Sequence, residues 1–161
     1  MIKKILIGLL FLVTFSQKAF SQNEYYSFLK DNYCEPKEYV KKLFESKDLV
    51  ILCERDHREM TQYDFLFDLI SQPWFISNVG VIIMEVPSRS AQPQIDELLK
   101  SENLTLDELN SKLRYICQNM GYAPIWSNTN FYYFLKNVYT LNQSLKENEK
   151  IRIIGANVKF S

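Results

Sequence analysis

Val79-Gly80-Val81-Ile82-Ile83-Met84 is a run without a charge, expected to end at Glu85 and to be broken by Pro87. Two runs of similar character flank it at a distance. Leu49-Val50-Ile51-Leu52-Cys53 follows Asp48, and Ile151-Arg152-Ile153-Ile154-Gly155 lies near the C-terminal end. Apolarity that is continuous rather than alternating predicts short strands covered on both faces, as in a parallel sheet.

The stretches between these runs have helical spacing. Tyr63, Leu66, Phe67 and Ile70 fall at i, i+3, i+4 and i+7, with Pro73 expected to stop the helix. Thr105 and Glu108 form a capping-box pair ahead of Leu106, Leu109, Leu113, Ile116 and Met120. A further helix carries Phe131, Phe134, Leu135, Val138, Leu141 and Leu145. Upstream, Pro36 suits a first helical position, and Tyr39, Val40, Leu43 and Phe44 make an apolar stripe. Strands separated by helices predict an α/β fold: a parallel sheet with right-handed crossover helices.

The N-terminus reads as an export signal. Lys3 and Lys4 precede an apolar stretch from Ile5 to Phe15, and Ala19-Phe20-Ser21 supplies small residues before Gln22. As a helix the stretch reaches about 16 Å, against a hydrocarbon core of roughly 30 Å, so no stable membrane anchor is expected. The expected organisation is therefore a signal peptide over 1–21, a helical lead-in over 22–47 and an α/β segment over 48–161. The expected location is periplasmic or extracellular.

Charge and cysteine content narrow the function classes. The 161-residue chain has 19 basic and 19 acidic residues; loss of Lys3, Lys4 and Lys18 leaves 16 against 19, a net of −3. No strongly basic stretch remains, which argues against a nucleic-acid partner. Cys34, Cys53 and Cys117 are an odd set without zinc-site spacing, and Cys53, ending an apolar run, is expected to be buried.

Ligands of parallel sheets bind beyond the carboxyl ends of the strands. There the sequence places Glu54-Arg55-Asp56-His57, then Glu85, then Asn157. His57 is the one histidine of the chain. A carboxylate beside it would raise its pKa and fix its tautomer, both useful to a general base. Glu85 ends an apolar strand in this reading, where desolvation would be costly without a partner or a cavity. Glu54, His57 and Glu85 could also ligate a divalent ion, although a single histidine is a weak signal. Ser88-Arg89-Ser90 lacks a nucleophile elbow and reads as loop. Asn103-Leu-Thr and Asn142-Gln-Ser match a glycosylation pattern that carries little meaning in a bacterial-type exported protein.

These motifs resemble the erythromycin esterase-like family. Leu49-Val-Ile-Leu-Cys-Glu-Arg-Asp-His57 is similar to its first motif, a hydrophobic strand followed by Gly-Glu-x-x-His-Gly. Val81-Ile-Ile-Met-Glu85 resembles the second, a strand ending in Glu. Trp126-Ser-Asn-Thr-Asn130, the helix to Asn142, and Ile151-Arg-Ile-Ile-Gly-Ala-Asn157 resemble the next block. Cys53 and Arg58 stand where the family has Gly, and Asn157 where Asp is usual. The resemblance covers about 48–161 and implies the N-terminal part of a longer domain, with a second essential histidine beyond this chain.

What the resemblance implies is ester hydrolysis of a small-molecule substrate. His57 would activate water, Glu54 and Glu85 would support it, and Arg55, Arg58 and Asn157 would contact the ligand. No cofactor is required by that reading, although the wider superfamily, with its haem-uptake ChaN-like and Tiki-type members, leaves a divalent metal or haem open. The alternative is a non-catalytic binding protein holding haem, metal or a peptide in the same crevice.

Overall fold

A computed structural model describes residues 24–56, 58–120 and 128–157. The expected leader at 1–21, His57 and Trp126 lie outside the described residues. The chain divides into two compact units at Val50/Ile51.

The first unit contributes a helix over 24–32 (α1) and a second over Pro36–Phe44 (α2). Pro36 begins α2, where its missing N–H costs nothing. Val40 is buried, whereas Tyr39, expected on the same apolar stripe, is 55 % exposed.

The second unit is helical with a small parallel sheet. Its elements are α3 (Met60–Ile70), α4 (Pro73–Asn78), β1 (Val81–Ser88), α5 (Gln92–Lys100), α6 (Leu106–Gln118), α7 (Asn128–Gln143) and β2 (Arg152–Asn157). Short 3-10 turns cover Arg89–Ala91 and Glu147–Glu149. Strands β1 and β2 pair in parallel, Val81 opposite Arg152 through Met84 opposite Gly155. After an irregularity the register resumes with Ser88 opposite Asn157. The fold is thus α/β, with three helices between its two paired strands.

Side chains alternate across the sheet. Ile153 and Gly155 are buried on the face that packs against α5, which in turn meets α6 and α7. Ile95, Leu98, Leu113, Ile116, Leu135 and Val138 fill this core with almost no exposure. The opposite face carries Ile83, Glu85, Arg152 and Ala156, all exposed. Coverage on both faces was the expectation; among the described residues it holds for one.

Several local features depart from the sequence reading. Val79 and Gly80 belong to the end of α4, where both amide N–H groups donate to the Phe75 carbonyl. Gly80 has φ +62, the left-handed conformation that ends helices and favours glycine, so the strand starts at Val81. Pro73 starts α4 rather than merely stopping α3. Pro87 does not break β1, which runs on to Ser88. Helix α5 went unread, although Pro93 in its first turn and the buried Ile95, Leu98 and Leu99 give it helical spacing.

The first expected strand is absent. Residues 49–53 form no regular element, and Ile51, Leu49 and Leu52 are 77 %, 66 % and 48 % exposed. Cys53 is exposed too, contrary to the buried position expected. The reason is the lack of a ladder: the described sheet has two strands, and neither pairs with this run. Among the described residues, no helix is long and apolar enough to cross a membrane.

Candidate functional site

The segment before α3 is organised by one glutamine. Gln62, on the first turn of α3, accepts a hydrogen bond from the Arg55 amide at 3.1 Å. Its amide nitrogen donates to Glu54 Oε1 at 3.4 Å and to the Asp56 carbonyl. Gln62 therefore fixes the backbone on both sides of Arg55 and orients the Glu54 carboxylate. Sequence reasoning missed it; its signal was a polar residue one helical turn downstream of a charged loop.

The two arginines take different acids. Arg55 Nε donates to Glu59 Oε2 at 2.8 Å, with a second bond of 3.2 Å to Oε1. Arg58 reaches Asp56, its backbone N–H at 2.9 Å and its guanidinium at 3.4 Å. Both guanidinium groups are mostly exposed, so these pairs contribute only about 0.2–1 kcal/mol each. Their effect is to neutralise Glu59 and Asp56 locally. Arg55 and Arg58 are thus each engaged with an acid of the same segment.

Glu85 needs a correction. It does not end the strand but sits within β1, three residues before Ser88, on the exposed sheet face. Strand alternation puts it beside Ile83 and away from the core, so the desolvation argument made for it lapses. It keeps its place in the carboxyl half of β1. Asn157, half-buried, ends β2 in register with Ser88. The two strands thus bring Ser88 and Asn157 together at one end of the sheet, with Glu85 further back in the carboxyl half of β1.

Ser88 is the most enclosed polar group there, with no exposed surface. Its N–H donates to the Met120 carbonyl at 3.3 Å, and its hydroxyl shares a hydrogen bond of 2.8 Å with the Ser90 hydroxyl. This ties the end of β1 to the end of α6. Gly155 permits the approach, since a Cβ there would lie 2.4 Å from the Pro87 carbonyl oxygen. Ser88, expected in a loop just beyond this strand, is instead its last residue.

The thiols divide by burial. Cys34 and Cys53 are exposed and Cys117 is buried, all three unbridged. Desolvation pushes the Cys117 thiol up to about 11, which keeps it protonated and unreactive at neutral pH. Among the described residues, no group of three or more His, Cys, Asp or Glu side chains is placed to hold a metal ion.

Comparison with protein-family models, curated proteins and solved structures finds no match to the chain.

Proposed function

We propose that the protein is an exported hydrolase of the erythromycin esterase-like type, acting on a small-molecule ester. In this reading His57 is the general base, Glu54 and Glu85 hold and polarise it, and Asn157 with Arg55 or Arg58 contacts the substrate. The paired strands β1 and β2 belong to a larger parallel sheet with right-handed crossovers, and the crevice opens at its carboxyl end.

The observation that carries the proposal is the parallel pairing of β1 with β2. It brings Glu85 and Asn157, 72 positions apart in sequence, to the same half of one sheet. The Gln62 tether on Glu54 supports it further, because a carboxylate oriented by an amide is pre-set to accept a hydrogen bond from an imidazole.

Hydrolysis of an aryl ester by the purified protein tests the reading, with His57→Ala as the variant. Loss of a general base lowers the rate by about 10²–10⁴-fold, and the melting temperature should not move. Activity that survives the substitution removes His57 from the mechanism. Binding of haem or a divalent ion without hydrolysis would instead identify a binding protein.

A further inference from the structure

The two edges of the sheet are built differently. On β2 the outward-facing backbone groups include the Ile153 carbonyl and the Gly155 N–H. The Gln92 side chain takes both: its Nε2 donates to Ile153 at 2.7 Å, and its Oε1 accepts from Gly155 at 2.9 Å. One carboxamide thus makes the pair of bonds that a residue of a third parallel strand would make, and it plugs that edge.

The edge of β1 has no such plug. Arg152 donates to the Gly80 carbonyl at 2.9 Å, so the ladder to β2 uses Gly80, Ile82 and Met84. Val81 and Ile83 turn their N–H and C=O groups outward, and among the described residues these groups meet no partner. Ile83 is also 63 % exposed. Elsewhere in the same chain, residues 49–53 are a strand-length apolar run with no main-chain hydrogen bond among the described residues.

We propose that two copies of the chain exchange these features: residues 49–53 of each add as a strand to the free β1 edge of the other. A second copy is the occupant because, among the described residues, each copy carries an apolar run and a strand edge without main-chain partners, and a reciprocal exchange satisfies both at once. Among the described residues β1 pairs with β2 alone. Residues 49–53 and the 81–84 stretch of β1 carry no charge, so association proceeds by burial and main-chain pairing rather than by charge. Because Gln92 occupies the β2 edge, β1 offers the one acceptor edge among the described residues, and a reciprocal exchange closes at the dimer instead of growing into a filament. The inference does not depend on the hydrolytic reading.

Sedimentation velocity of the purified protein over a concentration series should show a dimer. Ile51→Lys and Ile83→Lys, on the donor run and the acceptor edge, should each leave a monomer with an unchanged circular dichroism spectrum. The linkage is read separately by combining Ile83→Cys with Cys34→Ser and oxidising, which should join Cys53 of one copy to position 83 of the other. A band of dimer mass on a non-reducing gel is the expected result. A wild-type monomer at every concentration overturns the proposal, and so does a disulfide-bonded band of monomer mass, which would place the run on its own edge.

Discussion

Residues 49–53 and 151–155 are near-equivalent as sequence, Leu-Val-Ile-Leu-Cys against Ile-Arg-Ile-Ile-Gly, yet they end in opposite environments. Ile151 and Ile153 are essentially unexposed, while Ile51 and Leu49 are among the most exposed apolar residues described. Apolarity does not separate them; hydrogen-bonding partners do. The second run enters its strand through Asn142, whose Oδ1 accepts from the Ile151 N–H at 2.8 Å and whose Nδ2 donates to the Ile151 carbonyl at 3.0 Å. It then pairs with β1 on one edge and with Gln92 on the other. The first run has none of these. An apolar run becomes a buried strand when its polar backbone is provided for, because an unpaired buried amide costs as much as the burial of a small side chain returns.

Removing the provision should turn one region into the other. Asn142→Ala leaves the Ile151 N–H and C=O buried without partners, at about 1–3 kcal/mol for each group. This is the largest effect expected, and urea unfolding followed by circular dichroism measures it. A variant as stable as the parent would mean that the Asn142 clamp is incidental. The same residue lies in a glycosylation-like triplet, and its complete burial gives that pattern a structural role instead.

Close approach of the strand ends is the next test. Gly155→Ala puts a Cβ 2.4 Å from the Pro87 carbonyl, a backbone atom that cannot rotate away. Overpacking of this kind costs about 1–3 kcal/mol, and here it should also loosen the Ser88 contact with Met120. Calorimetry gives the first number, and amide exchange at Ser88 reads the second. Unchanged values for both would show that the end of β1 is free to shift.

How far these regions were legible in the sequence follows the same division. The α/β class, the parallel pairing of β1 with β2, helices α3, α6 and α7 and the Thr105 capping box were all readable, because periodicity and capping are local signals. The fate of 49–53 was not, because a strand depends on a neighbour that composition does not reveal. For the same reason Glu85 looked like a strand terminus: Pro87 was taken as a stop, whereas β1 runs through it to Ser88. The roles of Gln92, Gln62 and Asn142 were not legible, because a polar side chain that replaces a strand or pins a loop has no sequence period. Of the candidate site, Glu85 and Asn157 lie in the same half of the sheet, Glu54 accepts from Gln62, and His57 lies outside the described residues.

The smallest effect sharpens the comparison from the well-ordered side. The Thr105 hydroxyl, and then its backbone N–H, hold the Glu108 carboxyl below its ordinary value of 4.5. A depressed folded pKa contributes stability above the ordinary value and loses it as the pH falls through the folded one. Thr105→Ala should cost about 1 kcal/mol near neutrality. The difference in melting temperature from the parent should narrow as the solution is acidified below the ordinary Glu range. A difference that stays constant with pH would assign the effect to the hydroxyl–backbone bond alone.

Backbone hydrogen exchange, followed residue by residue in protein dilute enough to be monomeric, tests the central contrast most directly. The Ile151, Arg152, Ile154 and Gly155 amides should exchange slowly, near the rate set by global unfolding, while those of Ile51, Leu52 and Cys53 should exchange close to the rate of an open chain. Comparable protection of the two runs in the monomer would contradict the account, since it would mean that 49–53 has a ladder of its own.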